Sequence, residues 1–359
     1  MIRFFDMFAG IGGFRSGLEK AGGFKCVGYC EIDKYARMSY EAMYDTEGEV
    51  YFDDARKIVP EELPDIDLIS GGFPCQTFSR AGTRRGFDDA RGTLFFEIAR
   101  IAAVKKPEYL LLENVPGLLD HDGGRTFKTI LGTLERMGYD VAWSVLDGTA
   151  FGSAQQRKRV FIIGYYRERC EGRILPFGKA ARRSDSEKIT IYSKDMAVTI
   201  SGSLSLLQEK YGIPIKVKTK SGYMTALPGD SIDLSYPNIN SRRGRVGRNI
   251  AHTVTPSANQ GFYFMTSDAM SDNLYAVKTA EINGIEYKGY VRRFTPLESW
   301  RLQGFTDEQF YKAKAAGVSD RQLYKQAGNA VTVNVIEALG KFIKQIDEEN
   351  KNDEELNDF

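Results

Sequence analysis

The sequence predicts an α/β protein: a doubly wound, mixed sheet of Rossmann-like type carrying a smaller, irregular, β-rich second domain. Three observations lead there. Short apolar runs alternate with amphipathic stretches over residues 1–164, as successive strand and helix units around a largely parallel sheet require. The first apolar run passes straight into a glycine turn, Asp6-Met7-Phe8-Ala9-Gly10-Ile11-Gly12-Gly13-Phe14. Between residues 166 and 285 the rhythm is lost to polar, glycine-rich and β-leaning segments, and helical spacing returns at Thr295 to Gln303 and after Ala330.

In chain order, the strands expected are Ile2 to Asp6, Lys25 to Glu31, Ile66 to Ser70, Tyr109 to Glu113, Asp140 to Leu146 and Val160 to Tyr165. The helices expected between them are Phe14 to Ala21, Lys34 to Tyr44, Leu94 to Lys105 and Thr126 to Met137. The run VTVNVIEALGKFIKQI has apolar residues at helical spacing and is expected to return to the first domain. The resulting organisation is a first domain over 1–165, a second over 166–285, a returning segment over 286–345 and an acidic tail over 346–359.

Composition narrows the functional classes. With 42% hydrophobic and 27% charged residues in 359, the chain can bury one large or two unequal cores. No apolar stretch approaches the roughly 20 residues of a membrane helix, and the N-terminus lacks a secretory pattern, so a cytoplasmic location is expected. The 4 cysteines (26, 30, 75 and 170) and 2 histidines form neither a disulfide framework nor metal-ligand spacing. No metal is expected, and Cys26 and Cys30 read as core residues. A net charge of +1 conceals an uneven distribution, because acid gathers in the terminal run from Asp347 while SRRGRVGR (Ser241 to Arg248) is basic.

Four constellations carry chemistry. The glycine turn lies where α/β proteins bind nucleotide-like ligands, at the carboxyl end of the first strand. Arg15 replaces the third glycine of a dinucleotide fingerprint, which favours a ligand without pyrophosphate and disfavours a nicotinamide oxidoreductase. Glu31 ends the second strand and Asp53 and Asp54 precede the third, outlining an adenosine pocket unless they are ordinary strand-end acids. Gly71-Gly72-Phe73-Pro74-Cys75-Gln76 sets a thiol on a strand-end loop. Glu113 ends the next strand, and Gln155-Gln156-Arg157-Lys158-Arg159 supplies guanidinium groups just before the strand after that.

The series Phe8-Ala9-Gly10-Ile11-Gly12-Gly13, Gly72-Phe73-Pro74-Cys75-Gln76, Glu113-Asn114-Val115, Gln155-Gln156-Arg157-Lys158-Arg159, Arg292-Arg293-Phe294-Thr295-Pro296-Leu297-Glu298 and Gln326-Ala327-Gly328-Asn329-Ala330-Val331 resembles the motif series of the C5-cytosine DNA methyltransferases, particularly the bacterial restriction-modification type. The resemblance covers residues 1 to about 165 and 290 to 340, and it makes the intervening segment a target-recognition domain. It implies an S-adenosylmethionine-dependent enzyme, with the cofactor against Phe8, Gly10, Ile11, Gly12, Glu31 (ribose), Ile32, Asp54 (adenine), Ala55, Pro74 and Leu94, closed by Asn329 and Val331.

The same resemblance assigns the reaction. Cys75 adds to carbon 6 of cytosine, Glu113 hydrogen-bonds N3 and the amino group, Arg159 contacts O2, and Arg157 supports the loop or the thiolate. None of these groups reaches a stacked base, so the cytosine is expected to flip out of the duplex. DNA contacts are expected from Ser79, Arg80, Arg84 and Arg85 in the loop after the nucleophile, and from Arg242, Arg243, Arg245 and Arg248. Thr253-Val254 matches a short Thr-Leu-like dipeptide of the family. The expected partners are double-stranded DNA and a cognate endonuclease, and the expected state is a monomer. The alternatives are a transfer-RNA cytosine methyltransferase, whose usual Cys-Phe-Thr tripeptide is missing here, and a non-catalytic DNA-binding homologue.

Overall fold

The computed structural model describes residues 1–74, 94–168, 188–192, 197–201, 204–217, 222–235, 245–257, 259–268, 270 and 276–357. Cys75, Cys170, Ser79, Arg80, Arg84, Arg85, Arg242 and Arg243 lie outside them.

The large sheet is built from β1 (Ile2–Met7), β2 (Phe24–Cys30), β3 (Val50–Phe52), β4 (Leu68–Gly72), β5 (Tyr109–Asn114), β6 (Tyr139–Asp147) and β7 (Lys158–Tyr166), in the order β3-β2-β1-β4-β5-β7-β6. The first five strands are parallel, whereas β7 runs antiparallel to both β5 and β6. The sheet is therefore mixed and doubly wound, as expected. The direction of winding reverses between β1 and β4, which opens a crevice at their carboxyl ends.

Two apolar layers hold the sheet. One face packs Phe5, Met7, Ile69, Leu110 and Leu112 against helices α3 (Leu94–Lys105) and α4 (Arg125–Arg136). The other packs Phe4, Leu68, Leu111 and Phe161 against α1 (Gly13–Ala21) and the long α9 (Val333–Asn357). α1 and α9 meet closely because Gly17 has no side chain: a Cβ there would lie 2.5 Å from Ile336 Cβ. The last helix does return to the first domain, and it runs through the expected acidic tail as far as Asn357.

Between α2 (Lys34–Met43) and that helix sits a third apolar cluster. Trp300, Phe305, Phe310 and Leu323 come from α6 (Pro296–Gln303), the Phe305 turn, α7 (Asp307–Ala315) and α8 (Asp320–Asn329), and pack against Ala36 and Met43. The polar periodicity of α7 and α8 hid them in the sequence; their Thr306 and Ser319 N-caps are the legible signal.

The smaller domain includes the pairs β8 (Lys188–Tyr192) with β9 (Ala197–Ser201) and β10 (Ile213–Lys216) with β11 (Tyr223–Ala226), helix α5 (Leu204–Tyr211), and a sheet in the order β13-β12-β14-β16-β15, where β12 is Ser231–Asp233, β13 Val246–Gly247, β14 Gln260–Thr266, β15 Lys278–Ile282 and β16 Ile285–Arg293. Every pairing in it is antiparallel, over a core of Tyr263, Met265, Ile232 and Tyr287. The expected boundary at 286 is corrected by this pairing: β16 stays hydrogen-bonded to β14 as far as Arg293, so the domain ends there. Among the described residues no helix is long and apolar enough to cross a membrane.

Candidate functional site

The carboxyl ends of β1, β2, β4 and β5 open onto a cleft of about 800 Å³, within the range of small-molecule sites. Its floor is the glycine turn. Phe8 adopts a φ of 55°, a left-handed conformation that a bulky residue holds only when its surroundings impose it, and Gly10 follows at 57°. The Gly10 N–H donates to Glu31 Oε2 at 2.7 Å and the Asp33 N–H to Glu31 Oε1 at 2.7 Å, so one carboxylate ties the turn to the end of β2. Burial pushes the Glu31 carboxyl above its ordinary range, and the two N–H donors oppose that rise.

Along one wall, Asp54 caps the short turn Ala55–Lys57 and takes a bidentate grip from Arg56, which holds its carboxyl down at about 2. Asp53 pairs with Lys57 at 2.8 Å. Ile32 is left 72% exposed at the rim, an apolar surface open to a flat ligand. The C-terminal segment forms the opposite rim, where Lys325 reaches Asp33 Oδ2 at 2.6 Å and Gln326 donates to the Tyr35 carbonyl at 2.8 Å.

At the far end Gly72 pairs with Glu113 across β4 and β5, and Arg159 at the start of β7 lies beside them. Arg159 Nε is 2.9 Å from Glu113 Oε1, with side-chain exposures of 15% and 14%. Burial raises the Glu113 carboxyl, and Arg159 and Arg157 pull it back. Asn114 donates to the Phe73 carbonyl at 2.7 Å and accepts from the Val115 N–H at 2.9 Å. It thereby anchors the Phe73-Pro74 end of β4, immediately before Cys75.

The two arginines of the 155–159 segment do different work. Arg157 is 3% exposed and donates to the carbonyls of Val254 at 3.1 Å, Gly328 at 3.0 Å and Ala330 at 2.8 Å. Burial beside Arg159 disfavours its charge, and the three carbonyls replace the water it has lost. Gln155, fully buried, accepts from the Val254 N–H and donates to the Leu302 carbonyl at 3.2 Å. The Thr253 hydroxyl donates to the Gln156 carbonyl at 2.7 Å. Thr253-Val254 is thus a seam where the smaller domain docks against the 155–157 segment before β7, and Arg157 ties that seam to the C-terminal segment.

Most of the expected site residues come together on this one cleft. Phe8, Gly10, Ile11, Glu31, Ile32, Asp54, Ala55, Pro74, Leu94, Glu113, Arg157, Arg159 and Asn329 all line it. Gly12 and Val331 do not, and are corrected to a supporting position: Gly12 is covered by the ring of Tyr44, and Val331 packs against Gly13. Arg245 is corrected too. It is 5% exposed, with its guanidinium spent on the carbonyls of Asp233 and Lys216, so it braces the smaller domain instead of facing DNA. Arg248 is partly exposed and lies 3.5 Å from Asp230.

Arg15 does not crowd the glycine turn as its place in the sequence suggests, since it is buried behind the turn between Glu19 and Glu49. Asp33, Asn114, Lys325 and Gln326 were not singled out individually. Asp33 could have been found as a helix N-cap and Asn114 and Gln326 as members of the quoted motifs.

The donor set fits S-adenosylmethionine. A Cβ on Gly10 would meet nothing within 4 Å, leaving room for a ligand against the turn, and the carboxylates of Glu31 and Asp54 suit hydroxyl and amino donors. Among the described residues no cluster of His, Cys, Asp and Glu could hold a metal ion.

The chain is similar to known proteins along nearly its whole length. The family described as C-5 cytosine-specific DNA methylase matches residues 2–345. The type II methyltransferase M.NlaX of Neisseria lactamica is 36% identical over 348 residues, covering 96% of each chain. M.SsoII of Shigella sonnei, also a type II methyltransferase, is 35% identical over 96% of this chain and 81% of its own. The orphan methyltransferase M.SPRI of Bacillus phage SPR is 30% identical over 95% of this chain and 97% of its own. Among solved structures, the Schizosaccharomyces pombe Dnmt2 methyltransferase superposes with a TM-score of 0.57 at 17% identity, over 97% of this chain and 99% of that one. Entamoeba histolytica EhMeth does so with 0.54 at 18%, over 97% and 98%. The fold, the cleft and these relatives together identify the chain as a DNA methyltransferase belonging to the C-5 cytosine-specific DNA methylase family.

Proposed function

We propose that the protein methylates carbon 5 of a flipped-out cytosine within a specific duplex DNA sequence, through a covalent bond between Cys75 and carbon 6. The observation that carries this reading is the Glu113–Arg159 pair at 2.9 Å, largely buried in a cleft whose lining includes Pro74, the residue that precedes Cys75 in the sequence.

Carbon 5 of cytosine is too weakly nucleophilic to take a methyl group unaided. Addition of the Cys75 thiolate to carbon 6 breaks the 5,6 double bond and moves its electron pair into the ring, making carbon 5 an enamine carbon. Charge then develops at N3 and O2. Glu113, kept protonated more readily by burial, donates to N3, and Arg159 stabilises O2. Phe8, Gly10, Glu31 and Asp54 would hold S-adenosylmethionine, which would supply the methyl group to carbon 5 from its sulfonium sulfur, the carbon–sulfur electron pair staying on sulfur. A base then takes the carbon 5 proton, the double bond re-forms and the thiolate departs, so the enzyme is regenerated.

Arg157 has its donors turned to backbone carbonyls, so its role here is to position the cleft walls rather than to contact the base. A stacked cytosine cannot enter an 800 Å³ cleft at a strand end, which is the reason for flipping. The proposal extends to a cognate endonuclease acting at the same site, in line with relatives named as type II methyltransferases, and to a monomeric enzyme acting on intracellular DNA.

The test is a duplex carrying 5-fluorocytosine at the target position. Covalent capture by the native enzyme with S-adenosylmethionine, and none by Cys75→Ser, is the expected result, because fluorine cannot leave carbon 5 as a proton does. Near-native turnover by Cys75→Ser, or methylation of transfer RNA and not of duplex DNA, overturns the reading.

A further inference from the structure

A chain of hydrogen bonds reaches the glycine turn from behind. Gln309 Nε2 donates to Ser16 Oγ at 2.8 Å, Ser16 Oγ lies 2.5 Å from the Tyr44 hydroxyl, and that hydroxyl donates to the Gly12 carbonyl at 2.8 Å, with the Ile11 carbonyl at 3.3 Å. The direction of the chain is fixed at its start. Gln309 Oε1 already accepts from the Thr306 N–H in the capping box of α7, so its amide nitrogen faces Ser16. Ser16 Oγ accepts there and passes its proton to Tyr44, whose own proton is left for Gly12. Burial pushes the Tyr44 phenol upward, so it remains a donor at every working pH.

The ring is held as firmly as the hydroxyl. Arg15 Cζ sits 4.5 Å from the Tyr44 ring centroid, and Arg15 is pinned by Glu19 at 2.7 Å, Glu49 at 2.8 Å and the Asp45 carbonyl at 2.8 Å. The ring also presses on Gly12, which stands at φ 75° and where a Cβ would come within 2.5 Å of Tyr44 Cε2. Gly12 faces away from the cleft, while Gly10 and Ile11 face into it.

We infer that Tyr44 is a positioning residue for the cofactor: by fixing the Ile11–Gly12 carbonyls it sets the backbone of Gly10 and Ile11 against the ligand, and it links that setting to α7 through Ser16 and Gln309. The inference rests on the cleft being the S-adenosylmethionine site. Tyr44→Phe keeps the ring, the Arg15 contact and the Gly12 carbonyl's second donor, the Ser16 N–H at 2.8 Å, so the fold survives while the turn loosens.

Calorimetric binding of S-adenosylhomocysteine and steady-state kinetics, run on the full chain, test this. Tyr44→Phe is expected to weaken product binding and raise the cofactor KM about fivefold, the value of one modest hydrogen bond, with kcat at saturating cofactor and DNA affinity within about twofold. Ser16→Ala is the second variant. It interrupts the same chain, so it should act in the same direction, and the double variant should be no worse than Tyr44→Phe alone. Unchanged binding in both variants, or a lowered melting temperature with unchanged binding, overturns the proposal. If the native enzyme itself does not bind S-adenosylhomocysteine, the assignment of the cleft is what has failed.

Discussion

The two ends of the cleft are built on opposite principles. At the end proposed to hold the cofactor each carboxylate already has partners: Glu31 the N–H groups of Gly10 and Asp33, Asp33 those of Tyr35 and Ala36 and Lys325, and Asp54 Arg56. Backbone donors fix these groups, so they form a rigid receptor whose shape is set before any ligand arrives. At the end proposed to take the base, Glu113 meets Arg159 in one ion pair, and burial raises its carboxyl above the ordinary range. On the proposed function, binding is prepared by geometry at one end, whereas chemistry at the other depends on the charge state of one acid.

The largest effect that can break this contrast is at Glu113. Glu113→Ala should lower kcat by roughly 10²–10⁴, the usual worth of a positioned proton donor, and leave cofactor binding close to native. The pH profile sharpens it. Burial raises the Glu113 pKa, and its donating form exists below that value, so kcat should fall as pH rises through it. Glu113→Gln, whose amide cannot titrate, should lose that alkaline limb at a lower overall rate. An unaltered limb in Glu113→Gln would move the proton donor elsewhere.

Next comes Arg157, which belongs to neither end and holds the walls together. Arg157→Ala strands three carbonyls in a dry interior and is expected to cost roughly 3 kcal/mol, read as a lower urea midpoint at an unchanged m-value. If the protein keeps its stability and loses only kcat, Arg157 touches the base after all.

An effect of similar size, spread over several pH units, is expected at Asp6, sealed under the turn at 0% exposure with Ser70 donating to one oxygen at 3.0 Å. Burial pushes its carboxyl up to about 8. Between an unfolded value near 4 and a folded value near 8, unfolding releases a proton, so stability declines as pH rises through that window. Asp6→Asn removes this decline. Its thermal stability relative to the native chain should therefore grow from pH 5 to pH 8, by at most about 1.4 kcal/mol per unit. A constant difference across that range rules the titration out.

The smallest test separates two arginines of the basic run. Arg248→Ala should reduce the slope of log affinity for DNA against log salt by about one, whereas Arg245→Ala should lower stability and leave the slope unchanged.

Those two arginines also mark where the sequence stops being legible. The large sheet could be read because its strands are near-continuous apolar runs ending in turns, and Glu113, Arg159, Gly10 and Glu31 fall at strand ends where an α/β fold gathers its ligands. Arg245 and Arg248 look alike in a string of basic residues; only the backbone of β12 and β13 decides that one turns inward to carbonyls and the other outward. Val331 misled for a related reason, since adjacency to Asn329 along the chain does not say which side chain faces the cleft. Arg15, Tyr44 and Gln309 act across nearly three hundred residues of sequence, a separation that no local pattern encodes.

The rim formed by Lys325, Gln326, Gly328, Asn329 and Ala330 has a consequence for biosynthesis. The receptor begins at Phe8 and is finished by residues more than three hundred positions later, which α9 then presses home against α1. A ribosome that has delivered the glycine turn, Glu113 and Arg159 has still not delivered a complete cofactor pocket. The order of assembly follows from the order of the chain: the cleft lining is complete only once residues 325–330 have been made and packed against the first domain.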